Sequence, residues 1–130
     1  MPPRVLNKIR KLALSLPETH EVLAWGEPTF RVIKGKMFAS FASADGHHSA
    51  GRHAVWIKAK PENQQIMLRT FPDLYFSPPY VGPSGWIGAW LDADTDWNEV
   101  AELLRDGWKL CAPKKMLPLL DAKPAKRGTR

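Results

Sequence analysis

Residues able to carry out chemistry are few and scattered along this chain. His47, His48 and His53 share one polar stretch, yet adjacent histidines point apart on an extended chain, and no pattern of supporting residues accompanies them. Cys111 is the single cysteine, which excludes an intramolecular disulfide framework and a cysteine-rich zinc site. It falls on the apolar stripe of a helix, the place of a small core residue rather than a nucleophile. There is no GxSxG elbow and no glycine-rich phosphate loop of Walker or Rossmann type. The expectation is a protein that is not an enzyme, with no cofactor and no metal.

What remains is a chemistry of rings and charges. The stretch YFSPPYVGPSGWIGAWLD, residues 75–92, packs five aromatic side chains, three prolines and three glycines into one segment. Its glycines and prolines stiffen a connection between strands, with Tyr80 at the tip. Around it stand strands in which aromatic and basic residues alternate with aliphatic ones. Aromatic rings stack on nucleic-acid bases for about 1–3 kcal/mol each, and neighbouring cations meet phosphates. The same rings also suit a protein interface. Both readings stay open, beside a third in which the tryptophans are core and rim with no partner.

The elements that would position these residues follow from periodicity. Val5, Leu6, Ile9, Leu12, Ala13 and Leu16 keep helical spacing, and Pro17 ends that helix. Trp97, Val100, Ala101, Leu104, Trp108 and Cys111 form the stripe of a last helix, opened by Asp96 and Glu99 as a capping-box pair and closed by Pro113. Between them, TFRVIKGKMFASF reads as a hairpin turning at Lys34 and Gly35, and HAVWIKAK as a further strand. Residues 61–70 make a short helix with proline in its first turn. Strands over 74–77 and 86–91 follow. The order is helix, about three strands, helix, two strands, helix: a two-layer α+β domain.

Strand alternation assigns faces. Turning at Lys34 and Gly35 pairs Val32 with Met37, Arg31 with Phe38 and Phe30 with Ala39. One face then carries Phe30, Val32, Met37, Ala39, Phe41, Val55, Ile57, Ala59, Ile87, Ala89 and Leu91, and the helices should cover it. The other carries Arg31, Ile33, Lys36, Phe38, Ser40, Trp56, Lys58, Lys60, Trp86, Gly88 and Trp90, an aromatic and basic surface left open. Gly88 between two tryptophans would admit the close approach of a ligand or backbone.

Strings in this order, LALSLPETHEVLAWGEPTFRV, KMFASF, VWIKA, FSPPYVGPSGWIGAWLD and DGWKLCAPKKM, resemble the YjbR/MmcQ family of small bacterial proteins over roughly residues 5–117. The resemblance implies an α-β(3)-α-β(2)-α fold with an antiparallel sheet, similar to secretion-chaperone-like domains. It also implies DNA as the nucleic acid concerned, the label the family often carries, and it supplies no catalytic residues.

Charge is compatible with that partner without demanding it. The net charge is +6 over 130 residues. Residues 121–130, DAKPAKRGTR, hold four basic side chains and one acidic one, so half of the excess lies in a tail whose composition predicts disorder. The expected domain is thus 1–120. Hydrophobic residues make up 44%, enough for a core, but no apolar run nears the roughly 18 residues that span a bilayer. The basic start of the chain has periodic rather than continuous apolar residues, unlike a signal peptide, so a cytoplasmic location is expected.

The resulting expectation is a nucleic-acid-binding protein, with Arg31, Lys34, Lys36, Trp56, Lys58, Trp86, Trp90, Lys114 and Lys115 as the contact residues. Lys114 and Lys115 have a plainer role as cations following a helix C-terminus. The alternative function is a protein-interaction or chaperone-like module using the same aromatic face, as a homodimer or with another protein. No membrane association is expected.

Overall fold

The structure, a computed structural model, describes residues 3–33, 35–44 and 51–122, and of 121 and 122 the backbone alone. Helix α1 (Arg4–Leu14) is followed by strands β1 (Thr19–Ala24), β2 (Glu27–Val32), β3 (Lys36–Ala42) and β4 (His53–Ile57). Helix α2 (Pro61–Thr70) leads to β5 (Tyr75–Phe76) and β6 (Ile87–Leu91), then to α3 (Trp97–Cys111) and the short α4 (Pro118–Ala122). The strands form one antiparallel sheet in the order β1-β2-β3-β4-β6-β5. Among the described residues, no helix is long and apolar enough to cross a membrane. Lys34, His47, His48 and residues 123–130 lie outside the described residues.

Four strands, not three, precede α2. The added one is β1, which pairs with β2 from Thr19 opposite Val32 to Ala24 opposite Glu27, around a turn at Trp25 and Gly26. It is an edge strand with no fully buried residue, so burial imposes no clean alternation on THEVLA.

The covered face is built by α1 and α3. Ile9 and Ala13 of α1 and Leu104 and Trp108 of α3 meet Phe30, Phe41, Val55, Ile57 and Ile87 in one core. Asp96 caps α3, its Oδ1 accepting the N–H groups of Asn98 and Glu99. Gly107 lets this helix lie directly on the sheet: a Cβ there would come within 3.0 Å of Ile57 Cγ2 and of the Lys58 carbonyl. Trp108, fully buried, donates its indole N–H to the Pro17 carbonyl at 2.9 Å, which ties α3 to the connection leaving α1. Arg10 of α1 grips the Glu21 carboxylate of β1 through Nε and a terminal nitrogen, each at 2.9 Å.

The β2–β3 hairpin corrects the expected register. Phe30 does face Ala39, but Arg31 pairs with Met37 and Val32 with Lys36, so β3 carries a bulge at Phe38. The extra residue exchanges the two neighbours. Phe38 is fully buried in the core beneath the helices, while Met37 turns to the opposite face. An inserted residue leaves no mark on hydrophobic patterning when both neighbours are apolar, which is why strict alternation misplaces this pair.

Candidate functional site

On the face without helices, a straight row of residues crosses the whole sheet: Val22, Thr29, Ser40, Trp56, Gly88 and Phe76, each opposite the next. The two ends of this row are treated differently. Toward β5, Phe76 lies over Gly88, where an added Cβ would clash with the far edge of the phenyl ring. Phe76 also stacks on Trp90 with centroids 4.1 Å apart, and the Arg52 guanidinium sits 4.4 Å from the Trp90 ring. One ring face cannot hold both groups at those distances, so Trp90 is sandwiched. This half of the face is filled by its own side chains.

Toward β1 the face is concave. A hollow of about 470 Å³ is lined by Trp25, Met37, Trp56, Tyr80 and Val81, with Glu27 and Ser40 as its polar members. The polar members are already engaged: the Glu27 carboxylate accepts the N–H and the hydroxyl of Ser43, and the Ser40 hydroxyl donates to the Phe41 carbonyl. Two rim residues combine high exposure with an uncommon backbone conformation that Glu18 and Ile33 also adopt elsewhere. Trp25 is 77% exposed and Tyr80 78% exposed, and both have positive φ, 53° and 68°. A bulky side chain rarely adopts the left-handed region, where its Cβ crowds the following carbonyl at a cost of about 1–2 kcal/mol. Trp25 gets there through the tight β1–β2 turn, with Gly26 at φ 80° as the other turn residue. Such two-residue turns favour Asn or Asp at this place.

A model of the family described as YjbR matches residues 14–110, most of the chain and both walls of this hollow. The chain belongs to the YjbR family. Two solved structures share the fold. A Deinococcus radiodurans protein with a DUF419 domain is 19% identical with a TM-score of 0.69, covering 85% of this chain and 80% of that one. A Pseudomonas syringae protein is 16% identical with a TM-score of 0.65, covering 85% of this chain and all of that one. At such identities the likeness establishes the α+β architecture and nothing finer. A comparison with curated proteins found no match.

The YjbR domain does not gather the contact residues expected from sequence onto one surface. Trp56 lines the hollow, half-buried. Trp90 is enclosed as described, and Trp86 is 5% exposed, with its carbonyl taken by the buried Gln64 amide. Neither offers a free ring. Arg31 is folded back on its own hairpin, donating to Thr29 Oγ1 and the Gly35 carbonyl. Lys36, opposite Val32, stands on the helix side, where its charge and that of Lys58 reach Cys111. Lys58 lies one residue beyond β4, so strand alternation no longer governs it. It lines a groove between α2 and α3 with Lys60, Lys109, Glu99 and Asp106. Lys114 and Lys115 are exposed in a 3-10 turn after α3. Lys34 lies outside the described residues.

Burial raises the Cys111 thiol above its ordinary range, with Lys58 and Lys36 opposing the shift. The thiol is 3.6 Å from the Met37 carbonyl, as suits a packed core residue. The residues that make the hollow, Trp25, Glu27 and Met37, were not among those expected. One signal for them was present: a Trp-Gly pair between two short apolar runs, THEVLA and EPTFRV, marks a hairpin turn with its first residue presented to solvent.

Proposed function

We propose that this YjbR domain is a non-enzymatic interaction module whose helix-free hollow takes an apolar, aromatic-bearing segment of a partner protein. The observation that carries the reading is the pair Trp25 and Tyr80, held outward in unfavourable backbone conformations at the rim of an apolar concavity. Local strain in an exposed aromatic is retained where the exposed ring has a use. Trp and Tyr are also the side chains that most often dominate binding at protein interfaces. Nucleic acid would need cations beside the rings, whereas the charged member of the lining is Glu27. Binding of DNA through the exposed Lys114 and Lys115 alone would be weak, because two phosphate contacts release few counterions.

The test is selection of a displayed random peptide library on the immobilised full chain, then titration of the selected peptides. Labelled single- and double-stranded DNA are titrated in parallel at two salt concentrations. Peptides rich in aromatic and aliphatic residues should be recovered, and their binding should fall in Trp25→Asn and Tyr80→Asn but persist in Lys115→Gln. Peptide binding indifferent to both rim substitutions would sink the proposal. So would DNA binding that depends on Trp25 and outcompetes every peptide.

A further inference from the structure

A second hollow, of about 690 Å³, opens where the first turn of α1, the start of β4, the end of β6 and the first turn of α3 meet. It shares no lining residue with the aromatic hollow. Its chemistry is set by Arg4, Lys8, Arg52, His53, Asp92 and Trp97. Two cations of α1 and one immediately before β4 thus share the hollow with one carboxylate. Concave walls of low dielectric strengthen the field of such a group and attract an anion.

These cations are loosely engaged. Arg52 reaches Asp92 only at 3.8 Å, with both side chains about half exposed. Lys8 Nζ stands 5.2 Å from the Trp97 ring centroid, resting on the indole. Arg10, farther along α1, shows the contrast, with two 2.9 Å bonds to its carboxylate. Arg52 is nevertheless positioned, because its guanidinium lies against Trp90. His53 is positioned too: Nδ1 accepts the Ala44 N–H at 2.9 Å, and the ring stacks on Phe41. That hydrogen bond assigns the neutral ring's proton to Nε2, which is then a donor. The first turn of α1 has no acidic residue and no side-chain cap, so Asp92 is the carboxylate among the described lining residues that competes for the cations.

We infer that this hollow binds a small phosphorylated molecule with a planar ring, of the nucleoside phosphate class. Guanidinium forks match phosphate oxygens in pairs, and Lys8 can leave the indole for the same oxygens. The Trp97 ring so uncovered is a stacking surface for the planar part. The volume lies in the range of sites for ligands of this size. Inorganic phosphate would use the cations alone and gain nothing from the indole.

The experiment is calorimetric titration of the full chain with ADP, adenosine and inorganic phosphate, and with a short single-stranded oligonucleotide. ADP should bind more tightly than either of its parts. Arg52→Gln and Lys8→Gln should each weaken ADP on the order of tenfold, the loss of one charge-assisted contact. Lys115→Gln, outside the hollow, should leave ADP binding unchanged, and circular dichroism should show all three variants folded. The inference is overturned if ADP fails to bind at millimolar concentration, if the two hollow variants bind it like the parent, or if phosphate binds as tightly as ADP. It is equally overturned if only the oligonucleotide binds.

Discussion

The two faces of the sheet use the same residue types to opposite ends. Under α1 and α3, Phe30, Phe38, Phe41 and Trp108 are fully buried. On the other face, Trp56, Trp25 and Tyr80 surround a space that none of the described helices fills. The covered face has its ring in a satisfied environment: the Trp108 indole both fills the core and hydrogen-bonds to Pro17. The open face keeps Trp25 and Tyr80 in solvent and in left-handed backbone. Aromatic content therefore does not separate core from interaction surface in this domain. Partner elements do: where a helix stripe arrives, the rings become stability, and where none arrives they line a hollow.

Substitutions on the two sides should separate stability from binding. The largest effect is expected from Trp108→Ala, which empties the middle of the core and abandons the Pro17 carbonyl. Denaturant unfolding should show a loss of about 3–5 kcal/mol. Peptide affinity per folded molecule should be unchanged, because the hollow lies on the opposite face. A small stability loss would mean that the covered face is not the energetic centre of the fold.

Gly88→Ala comes next. The added methyl group occupies the space of the Phe76 ring, so the Phe76–Trp90 stack must shift. Overpacking of this kind costs about 1–3 kcal/mol, and near-ultraviolet circular dichroism should report the disturbed tryptophan. An unchanged spectrum together with full stability would contradict the closed reading of that half of the face.

Trp25→Asn sharpens the comparison most, because its two effects have opposite signs. Asn accepts left-handed backbone more readily than Trp, so the midpoint of unfolding should rise, by a gain of up to about 1 kcal/mol. Binding of the selected peptides should fall over the same substitution. A variant that loses both stability and binding would make Trp25 an ordinary structural residue.

The smallest effect concerns Cys111. Its thiol is raised from an ordinary value of 9.0, chiefly by desolvation. The folded protein therefore holds this proton more tightly than the unfolded chain does. Stability is unaffected by the group below the ordinary thiol value and declines as pH rises through it toward the raised one. Cys111→Ala should flatten that decline in unfolding experiments at alkaline pH. A parent protein whose stability shows no such dependence would place the thiol in a more hydrated site.

Much of the fold was legible in the residues themselves. Helical spacing marks α1 and α3, proline marks their ends, and the family's strings run through the chain in order. Those features are local, or are carried by short-range periodicity, and so survive in one dimension. The exposure of the aromatic face was not legible in the same way. Alternation correctly put Trp56 and Trp90 opposite Val55, Ile57 and Ile87. Which of those rings stays accessible depends on Phe76 folding over Gly88, on Arg52 lying across Trp90, and on the approach of Tyr80 and Val81 toward Trp56.

The chain by itself determined the α+β class, helices α1 and α3 and most of the aliphatic set beneath them, because burial of a continuous stripe leaves a periodic trace. Tertiary structure decided the rest. A single bulge at Phe38 moved Met37 into the hollow. The end of β4 at Ile57 sent Lys58 away from the tryptophans it was expected to join, into the groove between α2 and α3. Pairing of the edge strand β1 raised Trp25 beside Trp56, thirty-one positions along the chain. Each of these depends on where a strand stops or which partner it meets, and side-chain periodicity is indifferent to both.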